Sequence, residues 1–293
     1  MLRPFDIWEC HTMAEAVAAK QELEETGSVY AGGTELLLVM KQGFARYEHM
    51  IDVKGIPELN ELDVVNGRVR VGAATVHRKL EHSDIIRDRL ALMAEVESYV
   101  ANVRVRNVGT IGGNLCFAEP HSDLALVTIL LDGVLTVAGA SGERRVPAES
   151  LVTGPYETCL QPDEILKQID FPVTPAATAT GYQRFQFHER PSCAVGVIIT
   201  ASEDGQGCES ALVAVGAAGP TPRRVREAEA LFVGRSLNEV RARARDAGRK
   251  VAAAADPLPN QMGSEQYIAH LVEVLVERAT LQALARLHKE DVQ

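Results

Sequence analysis

The first fifty residues show helical and strand patterns in turn. Thr12 and Glu15 have the spacing of a capping box, and apolar residues then recur at helical intervals. Segments 28–31 and 49–53 are predicted as short strands, and the apolar segment 36–40 between them predicts a second helix. This order predicts a small parallel α/β unit.

The pattern becomes antiparallel after residues 55–60. Asn66-Gly67, the preferred pair of a type I′ turn, separates two alternating runs and predicts a hairpin. Segment 102–107 is interpreted as a strand with Arg104 and Arg106 along one face, and the alternative, arginines that face a pyrophosphate, stays open. Further strands are predicted at 135–138, at 144–146 and in a run that ends at Phe171.

Helical segments are predicted between these strands and in the last third of the chain. His77 and His82, which lie in the helical stretch before Val100, are interpreted as solvent-facing or hydrogen-bonded structural histidines. A Pro-, Ala- and Thr-rich segment at 172–180 is typical of a linker. After it, strands are predicted at 182–187, 194–201 and 210–216, and a long helix at 264–288. Its one apolar face is interpreted as core packing, and the alternative, a partner interface, stays open.

Two diglycine segments carry the candidate chemistry. Gly32-Gly33 lies between a predicted strand and a predicted helix, where unpaired N–H groups and the helix dipole favour a phosphate. The second segment, GTIGGNLCFAEPHSD at 109–123, is interpreted as a loop whose exposed N–H groups hold a phosphate and a polyol. The alternatives are a tight strand–helix turn for the first and, for the second, a glycine turn before a helix capped by Ser122 or Asp123. Neither segment is a Walker A loop or a GxGxxG fingerprint.

Composition and charge exclude several classes of function. The 293 residues carry a net charge of −10, which argues against a nucleic-acid binder because phosphate neutralisation needs clustered Lys and Arg. No apolar run has the length of a membrane span. The five cysteines form no CxxC pair, so a thiolate metal site is not expected, and a reducing cytoplasm is the simplest compartment. A redox role would therefore need an organic cofactor that binds without metal ligands.

The glycine segments in their context resemble a known family. AGGTELL at 31–37 and RVRNVGTIGGNLCFAEPHSDLA at 104–125 resemble the FAD-binding (medium) subunit of the molybdenum hydroxylases, which include carbon monoxide dehydrogenase-type enzymes and xanthine dehydrogenase. The stretches GAAT at 72–75, DEIL at 163–166 and GSEQYIAHLVEVLVERA at 263–279 are similar as well. The resemblance covers nearly the whole chain.

The resemblance implies an α+β fold. A two-part FAD-binding domain of the vanillyl-alcohol-oxidase-like (PCMH) type would be followed by a C-terminal antiparallel sheet with helices. The implied parts are 1–56, a small α/β subdomain; 57–175, an antiparallel sheet with helices; and 181–293, the C-terminal domain of the molybdenum hydroxylase flavoprotein type. FAD would lie non-covalently between the first two parts.

The resemblance also assigns contacts to FAD. The two glycine segments would bind the pyrophosphate and the ribityl chain, Asp123 the adenosine ribose, Ile165 and Leu166 an apolar part of the cofactor, and Arg184 would lie near the flavin. The full set is Ala31, Gly32, Gly33, Thr34, Glu35, Leu36, Thr110, Ile111, Gly112, Gly113, Asn114, Asp123, Ile165, Leu166 and Arg184. No acid–base catalyst and no metal ligand is assigned. The chain departs from the family pattern at Glu119, His121 and Cys193, the last occupying a position where the family often has an aromatic or bulky residue.

The implied function is electron transfer. Substrate would be hydroxylated at molybdopterin on a large subunit, and electrons would pass through [2Fe-2S] clusters of a small subunit and FAD of this chain to an external acceptor. The expected assembly is a dimer of heterotrimers in the cytoplasm. Two alternatives stay open: a stand-alone FAD-dependent oxidase or reductase with its own substrate pocket, and a non-catalytic assembly module that has lost FAD.

Overall fold

The chain divides into two units. The computed structural model describes residues 2–187, 190–259 and 263–290. Unit 1 comprises Met1–Glu119 and Asp132–Val173, and unit 2 comprises Pro120–Leu131 and Thr174–Gln293. The chain therefore passes from unit 1 into unit 2 at Pro120, returns to unit 1 at Asp132 and enters unit 2 again at Thr174.

Unit 1 begins with the predicted parallel α/β element. Its parts are β1 Asp6–Glu9, α1 Met13–Leu23, β2 Gly27–Tyr30, α2 Leu36–Gln42 and β3 His49–Asp52. The sheet order is β1-β3-β2, and both pairs are parallel, so the predicted α/β unit is confirmed. The Thr12 side chain accepts a hydrogen bond from the Glu15 N–H and caps α1. Strand β1 escaped prediction because its sequence, DIWE, contains no apolar run and is mostly exposed.

A five-stranded antiparallel sheet forms the rest of unit 1, with helices inserted between its strands. After the single turn Pro57–Asn60, its elements in chain order are β4 Leu62–Val65, β5 Arg68–Gly72, α3 His77–His82, α4 Asp84–Arg89, α5 Ala91–Glu97, α6 Val103–Arg106 and α7 Ile111–Phe117. There follow β6 Val134–Gly139, β7 Gly142–Pro147, β8 Val152–Gly154, β9 Glu157–Thr158 and β10 Ile165–Pro172. The main sheet has the order β4-β5-β10-β6-β7, while β8 and β9 pair separately. The hairpin at Asn66-Gly67 is confirmed, and Val69, Leu135 and Ile169 are fully buried.

Two sequence interpretations in unit 1 are wrong. Segment 102–107 is not a strand, because the Asn102 side chain accepts hydrogen bonds from the N–H groups of Arg104 and Val105 and starts α6. Segment 109–123 is not wholly a loop either, since Gly112 and Gly113 lie in the first turn of α7. Neither glycine has a positive φ.

Unit 2 is an antiparallel sheet covered by helices. Its elements are α8 Asp123–Leu130, β11 Thr178–Gln186, β12 Pro191–Ala201, β13 Cys208–Gly216, β14 Arg223–Arg224, α9 Arg226–Glu229, α10 Leu237–Ala254 and α11 Glu265–Glu290. The strand order is β11-β12-β13-β14, and every residue of α8 is buried. Strand β11 begins at Thr178, so the predicted linker 172–180 is too long at its C-terminal end. The long C-terminal helix is confirmed, with Ile268, Val272 and Val276 in the core.

Among the described residues, no helix is both long enough and apolar enough to cross a membrane.

Candidate functional site

The two glycine segments touch each other in unit 1. A Cβ placed on Gly32 would overlap the carbonyl oxygen of Val108 and would lie 2.6 Å from the Gly109 Cα. Backbone atoms cannot yield as a flexible side chain can, so only glycine permits this approach. The structure therefore brings together two segments that lie more than seventy positions apart in the sequence.

The first segment presents free hydrogen-bond donors. The N–H groups of Gly32, Gly33, Thr34 and Leu36 take part in none of the hydrogen bonds that the described residues make. Gly33 has φ +67°, a left-handed conformation that glycine adopts without strain. These donors lie just before and at the start of α2, where the helix dipole adds a partial positive charge. The arrangement fits a phosphate or pyrophosphate group.

The second segment differs, because its amide donors are already used. The N–H of Ile111 donates to the Thr75 carbonyl oxygen at 3.1 Å, and that of Gly112 to the Ala73 carbonyl oxygen at 2.9 Å. The N–H of Gly113 donates to Oγ1 of Thr110, the cap of α7. The expectation that this segment offers these N–H groups to an anion is therefore wrong.

Gly112 and Gly113 are adjacent but have different surroundings. A Cβ on Gly112 would lie 2.6 Å from both the Cβ and the carbonyl oxygen of Ala73, so this glycine is required by packing inside unit 1. Gly113 is exposed, and a Cβ there would meet only Thr110 Oγ1, at 2.9 Å. Gly113 is thus the position at which a ligand can come close to the backbone of α7.

The other predicted contacts in unit 1 fall into two groups. Five of them are half-buried in or beside the glycine segments: Ala31, Thr34, Glu35, Leu36 and Asn114. By contrast, Ile165 and Leu166 are 3% and 4% exposed at the start of β10, and Ile111 is fully buried. Any contact from Ile165 or Leu166 to a ligand would use the little surface that they keep, and their assignment stays a prediction.

Asp123 and Arg184 lie together in unit 2. An Arg184 Nη2 atom is 3.3 Å from Oδ2 of Asp123, and the hydroxyl of Tyr182 donates a 2.6 Å hydrogen bond to Oδ1. Asp123, at the start of α8, is only 8% exposed. Two residues of β11 thus hold the carboxylate. Both assignments stay predictions.

Tyr182 is a member of this cluster that the sequence interpretation missed. Burial, followed by the nearby Asp123 carboxylate, raises the pKa of its hydroxyl well above the usual range, so it remains a donor. Cys193, flagged in the sequence as unusual, is fully buried on β12, and burial raises the pKa of its thiol to about 12. Cys193 is therefore a neutral core thiol. Tyr182 stands two positions before Arg184 on an alternating strand, which was the available signal.

A second missed residue is Thr75 of the GAAT stretch. It is 1% exposed, and its Oγ1 has no hydrogen-bond partner among the described residues. Its carbonyl oxygen accepts a hydrogen bond from the N–H of Ile111, so the Thr75 backbone is bonded to the first residue of α7. Free amides at Gly32–Thr34, the glycine-only approach at Gly109 and this orphaned hydroxyl together fit a nucleotide cofactor with a pyrophosphate.

Two family models match the chain. Residues 3–174 match the FAD binding domain in molybdopterin dehydrogenase, and residues 186–283 match the CO dehydrogenase flavoprotein C-terminal domain. The order of these domains agrees with the α+β fold expected from the sequence.

Known proteins are similar over almost their full length. The carbon monoxide dehydrogenase medium chain of Hydrogenophaga pseudoflava is 30% identical over 275 residues, which cover 94% of this chain and 95% of that one. The xanthine dehydrogenase FAD-binding subunit of Escherichia coli O157:H7 is 28% identical over 288 residues, covering 96% and 97%. In the solved carbon monoxide dehydrogenase from Hydrogenophaga pseudoflava, the matching chain has a TM-score of 0.91 at 30% identity and covers 98% of this chain and 99% of its own length. Quinoline 2-oxidoreductase from Pseudomonas putida 86, at 21% identity and a TM-score of 0.91, has the same fold.

Proposed function

Because the chain belongs to the FAD-binding medium subunits of the molybdenum hydroxylases, an oxidoreductase family, we propose that it is the electron-transfer subunit of such a complex. Electrons would arrive from [2Fe-2S] clusters of a small partner subunit and leave to an external acceptor. Bound FAD supplies the redox chemistry, since a flavin can accept electrons singly and release them in pairs. The residues of this chain bind and orient the cofactor.

The free amides of the first glycine segment are the observation that carries the proposal. Gly32, Gly33 and Thr34 would donate to the pyrophosphate, with the N-terminal end of α2 adding favourable charge. Thr110 and Gly113 would lie against the cofactor where α7 begins, and the Asn114 side chain would steady it. The remaining assignments, Asp123, Ile165, Leu166 and Arg184, belong to the same proposal.

The subunit role is supported by the relatives, whose names describe them as medium chains or FAD-binding subunits. We propose a large molybdopterin subunit and a small iron–sulfur subunit as partners, arranged as a dimer of heterotrimers, with a cytoplasmic location. No acid–base catalyst is required of this chain, because its task is to hold a redox group rather than to transform a substrate.

Purification from the native source tests the proposal. We expect two further chains, one with molybdopterin and one with [2Fe-2S] clusters, to co-purify with this one. Substrate added to the complex should bleach the flavin absorbance near ~450 nm, whereas the separated chain should keep it unchanged. A separated chain that oxidises a substrate and reduces its own flavin would instead establish the stand-alone oxidase or reductase.

A further inference from the structure

A buried histidine–glutamate pair adjoins the contact between the glycine segments. His77, the first residue of α3, is 3% exposed, and Glu97, the last residue of α5, is fully buried. His77 Nδ1 lies 3.0 Å from Glu97 Oε2, while Glu97 Oε1 has no hydrogen-bond partner among the described residues. Burial raises the pKa of the Glu97 carboxyl, and the interaction with His77 opposes this rise. The charge of Glu81 adds to the rise and that of Arg106 opposes it.

His77 contacts Gly109 in two ways. Its backbone N–H donates to the Gly109 carbonyl oxygen at 3.0 Å. A Cβ on Gly109 would lie 3.1 Å from Cδ2 and 3.3 Å from Nε2 of the His77 ring, so the imidazole packs against the Gly109 backbone. Gly109 is also the residue whose Cα lies against Gly32. The contacts therefore run from Glu97 through His77 and Gly109 to the first glycine segment.

The stability of unit 1 does not by itself explain this pair. Two ionisable groups out of water carry a large desolvation cost, and apolar side chains of similar volume often serve a core as well or better. The hydrogen bond between His77 Nδ1 and Glu97 Oε2 instead fixes the orientation of the His77 ring, which an apolar residue cannot do. The pair is suited to placing a neighbouring group accurately.

We propose that the His77–Glu97 pair positions Gly109, and through it the start of α7, against Gly32, so that the cofactor site is formed before the cofactor binds. The inference rests on the proposed FAD function for its ligand. His77 is a positioning residue, since it acts on the site through Gly109 and not through a contact of its own with the cofactor.

The test compares FAD dissociation constants of the full chain with apo-protein melting temperatures. Glu97→Leu leaves the His77 ring without its anchor, and we expect FAD to bind about fivefold or more weakly, the ratio that corresponds to one lost hydrogen bond. Glu97→Gln keeps an acceptor for His77 and should restore an affinity within about twofold of wild type. Glu229→Leu removes another buried glutamate, in unit 2, and should change stability without changing FAD affinity.

Amide hydrogen exchange of residues 109–113 in the apo-protein gives a readout that does not depend on FAD. It should be faster in Glu97→Leu and unchanged in Glu97→Gln and Glu229→Leu. If wild type binds no FAD, the proposed function fails, but this exchange still decides whether the pair positions the segment.

A double variant can replace Glu97→Leu if that single variant does not fold. Should Glu97→Leu fail, the double variant His77→Leu, Glu97→Leu removes both polar groups and should keep or raise the melting temperature while FAD affinity and exchange protection fall. FAD affinity and amide exchange equal to wild type in a folded variant of either kind would overturn the proposal.

Discussion

Gly32 lies against Gly109 so closely that a Cβ on Gly32 would come within 2.6 Å of the Gly109 Cα. The contact joins the strand–helix junction of the parallel sheet to the start of α7, and both segments belong to the predicted cofactor site. Because backbone is in contact with backbone, the geometry of the site depends on the absence of one side chain.

Gly32→Ala should therefore distort the site. The added methyl would overlap the Val108 carbonyl oxygen, so the two segments must separate, and we expect loss of FAD affinity together with a lower melting temperature. Isothermal titration with FAD and thermal unfolding measure the two effects. Gly55→Ala is the matched control, since its nearest neighbour would be 3.4 Å away, and unaltered FAD affinity in Gly32→Ala would contradict the assignment.

Gly112→Ala should affect stability first. Its methyl would lie 2.6 Å from the Ala73 Cβ inside unit 1, and overpacking of this kind costs about 1–3 kcal/mol. Part of this is offset by the better helix propensity of alanine, about 1 kcal/mol. Urea unfolding monitored by circular dichroism would show the decrease. A variant as stable as wild type would mean that Ala73 and α7 can move apart freely.

The sequence predicted the helices and strands better than it predicted which backbone N–H groups are already hydrogen-bonded within the protein. Alternation and turn chemistry were sufficient for the hairpin at Asn66-Gly67, and a continuous apolar run, typical of a strand buried on both faces, was sufficient for β12. The Val-Arg-Val-Arg run at 103–106 alternates like a strand, but the local cap at Asn102 prevailed and made a helix. Alternation alone could not show which of the two influences was stronger.

The candidate site was predicted as a set of residues but not as a geometry. The two glycine segments could be named from their sequences, but the bonds from Ile111 to Thr75 and from Gly112 to Ala73 depend on tertiary contacts. The same holds for Tyr182, whose bond to Asp123 joins positions 59 apart in the chain. Long-range pairing of this kind leaves no periodic signal in a single sequence.

Tyr182→Phe should destabilise unit 2. The change removes the donor to Oδ1 of the buried Asp123, and leaving a buried acceptor without its partner costs about 1–3 kcal/mol. Chemical denaturation of the variant and of a Tyr267→Phe control, at a residue that is 42% exposed, would separate this loss from a general effect of removing a hydroxyl. Equal stabilities would show that the other partners of the carboxylate, Arg184 among them, satisfy it without Tyr182.

Glu164→Gln should change the pH dependence of stability. The hydrogen bonds from Arg144 to Glu164, at 2.6 and 2.7 Å, hold the pKa of this carboxyl below its usual range. A lowered folded-state pKa stabilises the protein above the unfolded-state pKa of about 4.3, and this contribution is lost as the pH falls through the folded-state pKa.

Melting temperatures between pH 7 and pH 3 test this directly. The melting temperature of wild type should exceed that of Glu164→Gln at pH 7, and this difference should disappear below about pH 4.3. Glu61→Gln alters an exposed carboxylate that makes no ion pair among the described residues and should show no such gap. A gap that is constant with pH would exclude the Arg144–Glu164 bond as its origin.

FAD titration of the full apo-chain, alongside its Gly113→Val variant, tests the central claim most directly. Gly113 is exposed, and a Cβ there would meet only the Thr110 side chain, so valine should displace Thr110 Oγ1, keep the rest of the fold and obstruct the cofactor. We predict one FAD per wild-type chain, a flavin absorbance near ~450 nm, and clearly weaker binding by a folded Gly113→Val variant. Wild-type protein that binds no FAD, or a variant that binds it as tightly as wild type, would contradict the account.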